Sequence, residues 1–329
     1  MQTPTHWQTI LAGATRAPSP HNTQPWRVRV LDDRRAELYL DAARLIVADK
    51  TGCFQVSAAG IFIEAVRLLA ANIGYRLEVE LHEIELTSAM VPIAQMALEE
   101  DPQIEPTGID APRLAQRRTA RLAHTGRLMS DREAEPFHGL AEAFGQHFGY
   151  STENALIERT LARNTEAIFE DMDTRTYREE FVGWLRNKRQ AAVKRDGMEL
   201  GSMRMGVMEY QLLRAAPWLL KTPGIRGPLS RRYRRTLGQT DHIGWLSGPF
   251  WEYPQAIEAG RFLLRFWLAL SELGMGMHPL GNLVTNARAK AWLDRELVGG
   301  PGAWLVFRFG QTPTPPKSGR LPLSEVLLD

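Results

Sequence analysis

Between Ala17 and Trp26 the chain reads Ala-Pro-Ser-Pro-His-Asn-Thr-Gln-Pro-Trp. Each proline locks its own φ and pushes the residue before it to extended geometry, so this segment cannot run as a helix. Trp26-Arg27-Val28-Arg29-Val30 then alternates as a strand does, and a helix is expected from about Trp7 to Thr15. The local order is therefore helix, stiff loop, strand. Inside the loop Ser19, His21, Asn22, Thr23 and Gln24 crowd hydrogen-bonding side chains into a segment stiffened at both ends. Such a loop either caps its neighbours or presents binding groups on a firm scaffold.

A chain of 329 residues can bury a large core in one or two domains. Its formal net charge of +2 argues against a dedicated nucleic-acid binder. A single cysteine, Cys53, excludes an internal disulfide framework and fits a reducing compartment. The start of the chain lacks the basic-then-apolar pattern of a signal peptide, and no uninterrupted apolar run approaches bilayer length. The expectation is a soluble cytoplasmic protein without integral membrane association.

Further along, Trp26 to Val30 and Glu37 to Leu40 bracket a hairpin turn, and Ser57 is a candidate N-cap for a helix closed by Gly74. Leu77 to Leu81 and Val91 to Leu98 read as strands. Asp101 to Pro112, rich in Pro and acids, reads as a connector that divides the chain into halves at 1–108 and 109–329. Arg113 begins a helical piece that includes Arg117 to Arg121, and Ser130 can cap a helix reaching about Phe148. Another helix runs from about Asn154 to Glu170. From Met172 to Ser247 lysines and arginines well outnumber acids, methionines recur, and prolines interrupt. This is either an excursion covering a site or a solvated basic surface. The core is expected to resume at Pro254, with a buried helix from Ala256 to Leu273, a helix from about Asn286 to Val298 and an interior strand from Trp304 to Phe309. Pro313 to Pro316 forms a stiff arm delivering Lys317 and Arg320.

Two basic groups stand out. Arg117, Arg118 and Arg121 are placed on one helical turn with the hydroxyl of Thr119, a setting suited to a phosphate; Lys317 and Arg320 flank Gly319. Each is otherwise a solvated surface cluster. His242 and His278 read as structural. No metal-ligand spacing, nucleophile elbow or P-loop occurs, so neither a metal site nor a catalytic side chain is assigned.

Pro18-Ser19-Pro20-His21-Asn22-Thr23-Gln24-Pro25-Trp26 resembles the Pro-Ser-x-x-Asn-x-Gln-Pro-Trp signature of the nitroreductase-like FMN flavoproteins, and in its longer form that of their Acg-type branch. Arg117-Arg118-Thr119-Ala120-Arg121 is similar to that family's Arg-x-Ser-x-Arg/Lys element. Lys317-Ser318-Gly319-Arg320-Leu321-Pro322 is similar to its C-terminal Lys-Ser-Arg-Leu-Pro element, with one glycine inserted. Pro279-Leu280-Gly281 falls where the family places a loop over the flavin. The resemblance implies an α+β fold with antiparallel or mixed sheets flanked by helices, and FMN held by Pro18, Ser19, His21, Asn22, Gln24, Arg117, Arg118, Thr119, Arg121, Leu280, Gly281, Lys317 and Arg320. Arg121 is expected at the N1–C2 carbonyl edge of the flavin.

The order of the elements departs from the family. Ordinary members carry the arginine element before the polar loop and share each site across a dimer; here the loop comes first and each element occurs once. That implies an internally duplicated pseudo-dimer with one FMN between its halves, as a monomer or a homodimer. The implied activity is NAD(P)H-dependent reduction of a small electrophile by a ping-pong mechanism, with NADH or NADPH as donor. The alternative is a protein that sequesters FMN beneath a cover at 172–247 and turns over little.

Overall fold

The computed structural model describes residues 5–297 and 302–329. The chain opens with α1 (Thr5–Ala14), β1 (Trp26–Val30), β2 (Arg35–Asp41), α2 (Cys53–Ala71), β3 (Tyr75–Leu81) and β4 (Met90–Glu100). The four strands form one antiparallel sheet in the order β1-β2-β4-β3. A connector leads to α3 (Ala111–Gln116), α4 (Asp131–Ala143), β5 (His147–Ser151) and α5 (Asn154–Asp173).

An excursion follows: α6 (Arg175–Trp184), β6 (Leu185–Arg186), α7 (Lys188–Lys194), β7 (Met198–Glu199), α8 (Val207–Ala215), a 3₁₀ turn at Pro217–Lys221, and α9 (Pro223–Leu237). The chain then returns through β8 (His242–Ser247), α10 (Tyr253–Glu272), β9 (Met275–Pro279), α11 (Asn282–Thr285), α12 (Ala287–Glu296) and β10 (Ala303–Gln311). The second antiparallel sheet has the order β5-β8-β10-β9.

The two sheets thus share one plan: two strands, a long helix, two strands, with the fourth strand lying between the second and the third. The long helices α2 and α10 pack face to face, and the crossing is tight enough to require glycine on both. A Cβ on Gly60 would lie 2.0 Å from the Ile257 carbonyl oxygen, and one on Gly260 2.1 Å from that of Ser57. Phe62 of α2, Phe262 and Phe266 of α10 and Phe307 of β10 belong to one buried cluster spanning both sheets. On α2 Glu64 is fully buried and is neutralised from α10 by Arg261, at 3.0 Å, and by Arg265. By length and composition α2 could cross a membrane, but 83% of its apolar window is buried inside the molecule.

Several sequence expectations need correction. The α2 helix begins at Cys53, with Ser57 inside it donating to the Phe54 carbonyl. Its first turn is held by Asp49, whose carboxylate accepts from the backbone of Gly52 and Gln55. The arginine element is not helical: α3 ends at Gln116, and Arg117 to Arg121 runs extended, Ala120 N–H donating to the Met277 carbonyl at 2.9 Å. The helix from Asp131 stops at Ala143, where Gly145 turns with φ +63°, and Phe148 lies in a strand. The core resumes at His242, because His242–Ser247 is an inner strand of the second sheet. The helix expected from Asn286 ends at Glu296, and the expected end at Val298 lies outside the described residues.

After β10 the arm crosses back to the first sheet. Val28 N–H donates to Val326 at 2.9 Å and Leu328 N–H donates to Val28 at 2.8 Å, so the end of the chain covers the free edge of β1.

Candidate functional site

A cavity of about 480 Å³ lies where the opening loop, the 117–121 segment, the end of β9, the C-terminal arm and the excursion converge. Phe54 and Ile61 from α2, Leu263 and Trp267 from α10, and Trp304 from β10 give it an apolar, aromatic wall. Met203, Met205, Leu212, Leu213 and Leu220 of the excursion line it from the other side.

The opening loop holds a costly shape. Ser19 is extended, Pro20–Asn22 makes one 3₁₀ turn, and His21, Asn22 and Gln24 all have φ near +50°. A non-glycine residue in the left-handed region costs about 1–3 kcal/mol, so the surroundings must over-determine this backbone. They do. Ser19 Oγ accepts from Gln24 N–H at 2.9 Å, Gln24 Oε1 accepts from Leu321 N–H at 2.8 Å, and Gln24 Nε2 donates to the Arg195 carbonyl at 3.0 Å. Asn22 Oδ1 accepts from Arg320 at 2.8 Å, while its Nδ2 donates to Gly197 at 3.1 Å and Gly319 at 3.2 Å. The loop is thereby tied both to the C-terminal arm and to the excursion. Gly319, the residue inserted relative to the family element, sits where a Cβ would meet the Arg195 backbone at 2.9 Å. Its presence lets the excursion close against the arm.

Pro18, Ser19, His21, Asn22, Arg117, Arg118, Thr119, Arg121, Leu280, Gly281, Lys317 and Arg320 all line the cavity. Gln24 does not: it is fully buried behind the loop and its amide is spent on the contacts just described. Arg118 lines the cavity but donates to the Ala115 and Pro315 carbonyls.

The charge balance of this site is unusual. Among the described residues none of Arg16, Arg117, Arg118, Arg121, Lys317 and Arg320 pairs with a carboxylate, although most arginines elsewhere do. Arg117 is 4% exposed, lies over the Trp267 ring with its guanidinium 4.4 Å from the centroid, and has no partner for Nε or Nη1 among the described residues. Burial, and then Arg320, push its pKa down to about 9. Burial holds Arg121 at about 10, opposed by Tyr233, and Arg320 at about 10, with Arg16 adding to the effect. All three remain cations at neutral pH and lack an anion to justify their burial.

Two histidines complete the wall. His21 has an unpartnered Nδ1 and a pKa lowered to about 4 by burial and then Arg121. His278, read from sequence as structural, lines the cavity with Nδ1 unpartnered, and burial holds it neutral. His242 does sit in the core, where Nε2 accepts from Met129 N–H at 3.0 Å and the ring stacks on Phe309. Trp267 and His278 are wall residues that sequence reading did not assign; the only signal was the adjacency of His278 to Pro279-Leu280-Gly281. No cluster of three or more His, Cys, Asp or Glu suited to a metal ion exists among the described residues.

No family model matches the chain, and no curated protein matches it. The solved structures similar to it include nitroreductase-like FMN flavoproteins. One is the FMN-dependent nitroreductase NfnB from Mycobacterium smegmatis in complex with NADPH, at 18% identity over 65% of this chain and 94% of that one, with a TM-score of 0.42. Another is the FMN and NADPH-dependent nitroreductase NfnB from sphigopyxis sp. strain HMH, at 17% identity over 67% and 97%, with a TM-score of 0.40. A BluB-like flavoprotein from Clostridium difficile 630 matches at 13% identity over 65% and 95%, with a TM-score of 0.38. Likeness this loose carries no weight for the site, which stands on its own geometry.

Proposed function

We propose that this chain binds FMN and is an oxidoreductase of the nitroreductase type, using NADH or NADPH to reduce a small electrophile. One observation carries the reading. Buried Arg117 and half-buried Arg320 have donors without partners among the described residues and, with Arg121, face a single cavity that also has an apolar, aromatic wall. That combination fits a flat aromatic ligand with an anionic end: phosphate oxygens would satisfy the orphaned guanidinium donors, and the ring would lie against the apolar wall. On this reading Arg117, Arg118, Lys317 and Arg320 hold the phosphate. Pro18, Ser19, His21, Asn22 and Thr119 would line the path to the ring, and Leu280 and Gly281 would border its face. Gln24 acts behind the loop as a positioning residue.

FMN, when bound, supplies the hydride chemistry. The chain's own contribution is electrostatic and steric. Arg121 stays protonated at neutral pH and would present a positive charge to the carbonyl edge of the ring. Neutral His21 and His278 each carry an unpartnered Nδ1 at the cavity wall, and the leucines and methionines of the excursion exclude water. The matching strand plans of the two sheets, and a loop from 1–108 facing arginines from 109–329, favour a fused pair of halves enclosing one FMN.

A second reading is that the protein sequesters FMN. The excursion is fastened over the cavity by Asn22 to Gly197, by Gln24 to Arg195, and by Glu180, which accepts from the backbone of Val47 and Ala48. An anaerobic titration separates the two. Bleaching of the bound flavin by NADH or NADPH within seconds supports the enzyme. A flavin that only dithionite reduces favours storage, and a colourless protein that refuses added FMN sinks both.

A further inference from the structure

The excursion has an outer face that the cavity does not use. From residue 200 to 240 there are eight lysines and arginines against one acid, Glu209, while the whole chain carries only +2. Glu209 is itself paired with Arg232. Arg226 and Arg234 reach acids outside the segment, Asp173 and Glu158. Arg204, Arg214, Lys221, Arg231 and Arg235 have no carboxylate partner among the described residues. The rest of the molecule is correspondingly net acidic, so the positive field is confined to one side.

Large apolar side chains stand among these cations. Met208 is 86% exposed, Val207 66% and Trp218 63%; elsewhere among the described residues only Val193 and Val47 are comparably exposed, and neither is an aromatic or a methionine. On α8, Val207, Met208, Gln211, Arg214 and Ala215 are exposed at spacings that set them on one side, and on the 3₁₀ turn after it Trp218 and Lys221, three residues apart, are exposed together. The opposite side of the same element carries Leu212, Leu213 and Leu220 into the cavity wall. A solvated lid would need charge on its outer face. It would not need an exposed Trp and Met.

We propose that this outer face docks on an anionic lipid bilayer, with Met208 and Trp218 entering the headgroup region and Arg214, Lys221 and the free arginines of α9 meeting lipid charge. The cations alone would suit any polyanion; the apolar side chains between them select lipid, because tryptophan and long apolar chains are favoured at the membrane interface and gain nothing from a phosphate backbone. Lipid contact outside therefore bears on the same element that roofs the cavity inside. The docking claim is independent of the flavin.

The test is co-sedimentation of the purified protein with vesicles of phosphatidylcholine alone or mixed with phosphatidylglycerol. Binding to the mixed vesicles that weakens with salt is expected, with little binding to phosphatidylcholine alone. Each neutralised cation should lower partitioning about fivefold, so Arg214→Gln with Lys221→Gln should lower it roughly twentyfold or more. Met208→Ser with Trp218→Ser should lower it roughly tenfold, while an unchanged thermal melt shows that the fold is intact. Failure to bind mixed vesicles overturns the proposal. So does equal binding by folded Met208→Ser/Trp218→Ser protein, or a sedimentation-velocity dimer that the same variant dissociates.

Discussion

Gly60 and Gly260 stand at the crossing of α2 and α10, each against a backbone carbonyl of the other helix. The contact is reciprocal: Gly60 meets Ile257 and Gly260 meets Ser57, so neither side can yield without moving the two sheets apart. Because the obstructing atoms are backbone, Gly260→Ala should cost about 3 kcal/mol, at the upper end of overpacking effects. Gly281, whose added Cβ would meet nothing within 4 Å, provides the comparison, and Gly281→Ala should leave stability within experimental error. Urea unfolding midpoints of the two variants check this; similar losses in both would contradict the close crossing.

Removing Arg117 should separate stability from binding. Its guanidinium rests on Trp267 with two nitrogens unpartnered, so Arg117→Met takes away a buried charge and keeps much of the packing. The flavin-free protein is expected to melt about 1–2 °C higher, in line with a gain of about 1 kcal/mol. Flavin retention should fall at least tenfold. Thermal melts with and without added FMN measure both, and a variant that melts lower yet keeps its flavin would defeat the anion assignment.

Asp196 is the clasp of the cover. It is 8% exposed and accepts from Arg44 at 3.1 Å and Arg186 at 3.0 Å, joining the excursion to the first half of the chain. Asp196→Ala strands Arg186 and leaves Arg44 only Asp41, at 3.8 Å, a local loss of about 3 kcal/mol. Flavin release, followed by recovery of fluorescence after dilution, should accelerate more than tenfold. If the closed cover is what limits access, reduction by nicotinamide should accelerate too. An unchanged release rate would mean that the cover is not held here.

Acid should weaken the fold through its buried histidines. His124 Nδ1 accepts from Asp241 N–H at 2.9 Å, and burial, Arg308 and His242 hold its pKa at about 3; burial and Arg121 hold His21 at about 4. Both rings are neutral in the fold and take up a proton on unfolding below about pH 6.5. The unfolded chain therefore binds more protons, so stability is fully present above about 6.5 and falls as pH drops toward these values. Each histidine contributes a slope of about 1.4 kcal/mol per pH unit below pH 6. In His124→Gln that slope should be shallower by one histidine's share between pH 6 and pH 4.5, as read by urea unfolding at stepped pH.

Elements with a strong local signal are legible in the sequence itself. Trp26–Val30 alternates, Ser130 and Glu133 form a capping box, and the apolar run through α10 allows little except a buried helix. Elements governed by distant partners are not. Arg117 to Arg121 has good helix formers, yet pairing with Met277 draws it into an extended segment. His242–Ser247 is buried on both faces and has Gly244 in its middle, so it lacks the alternation that marks a half-exposed strand. Ser57 looks like a cap because its hydroxyl is local, but Asp49 holds the helix start from outside it.

The same division runs through the site. By itself the sequence determined which residue types stand in the opening loop, in the arginine element and in the C-terminal arm, and that the loop would be stiff. Proline geometry and side-chain chemistry are local, and they need no partner to act. Only the tertiary structure decided that Arg117, Arg121 and Arg320 meet in one cavity with no carboxylate paired to them among the described residues, that Gln24 turns away from it, and that His278 and Trp267 turn toward it. With 40 cationic and 38 acidic side chains in the chain, which of them remain unpaired depends on distances between elements far apart in sequence. Those distances are set by the crossing of α2 and α10 and by the return of the arm across the first sheet.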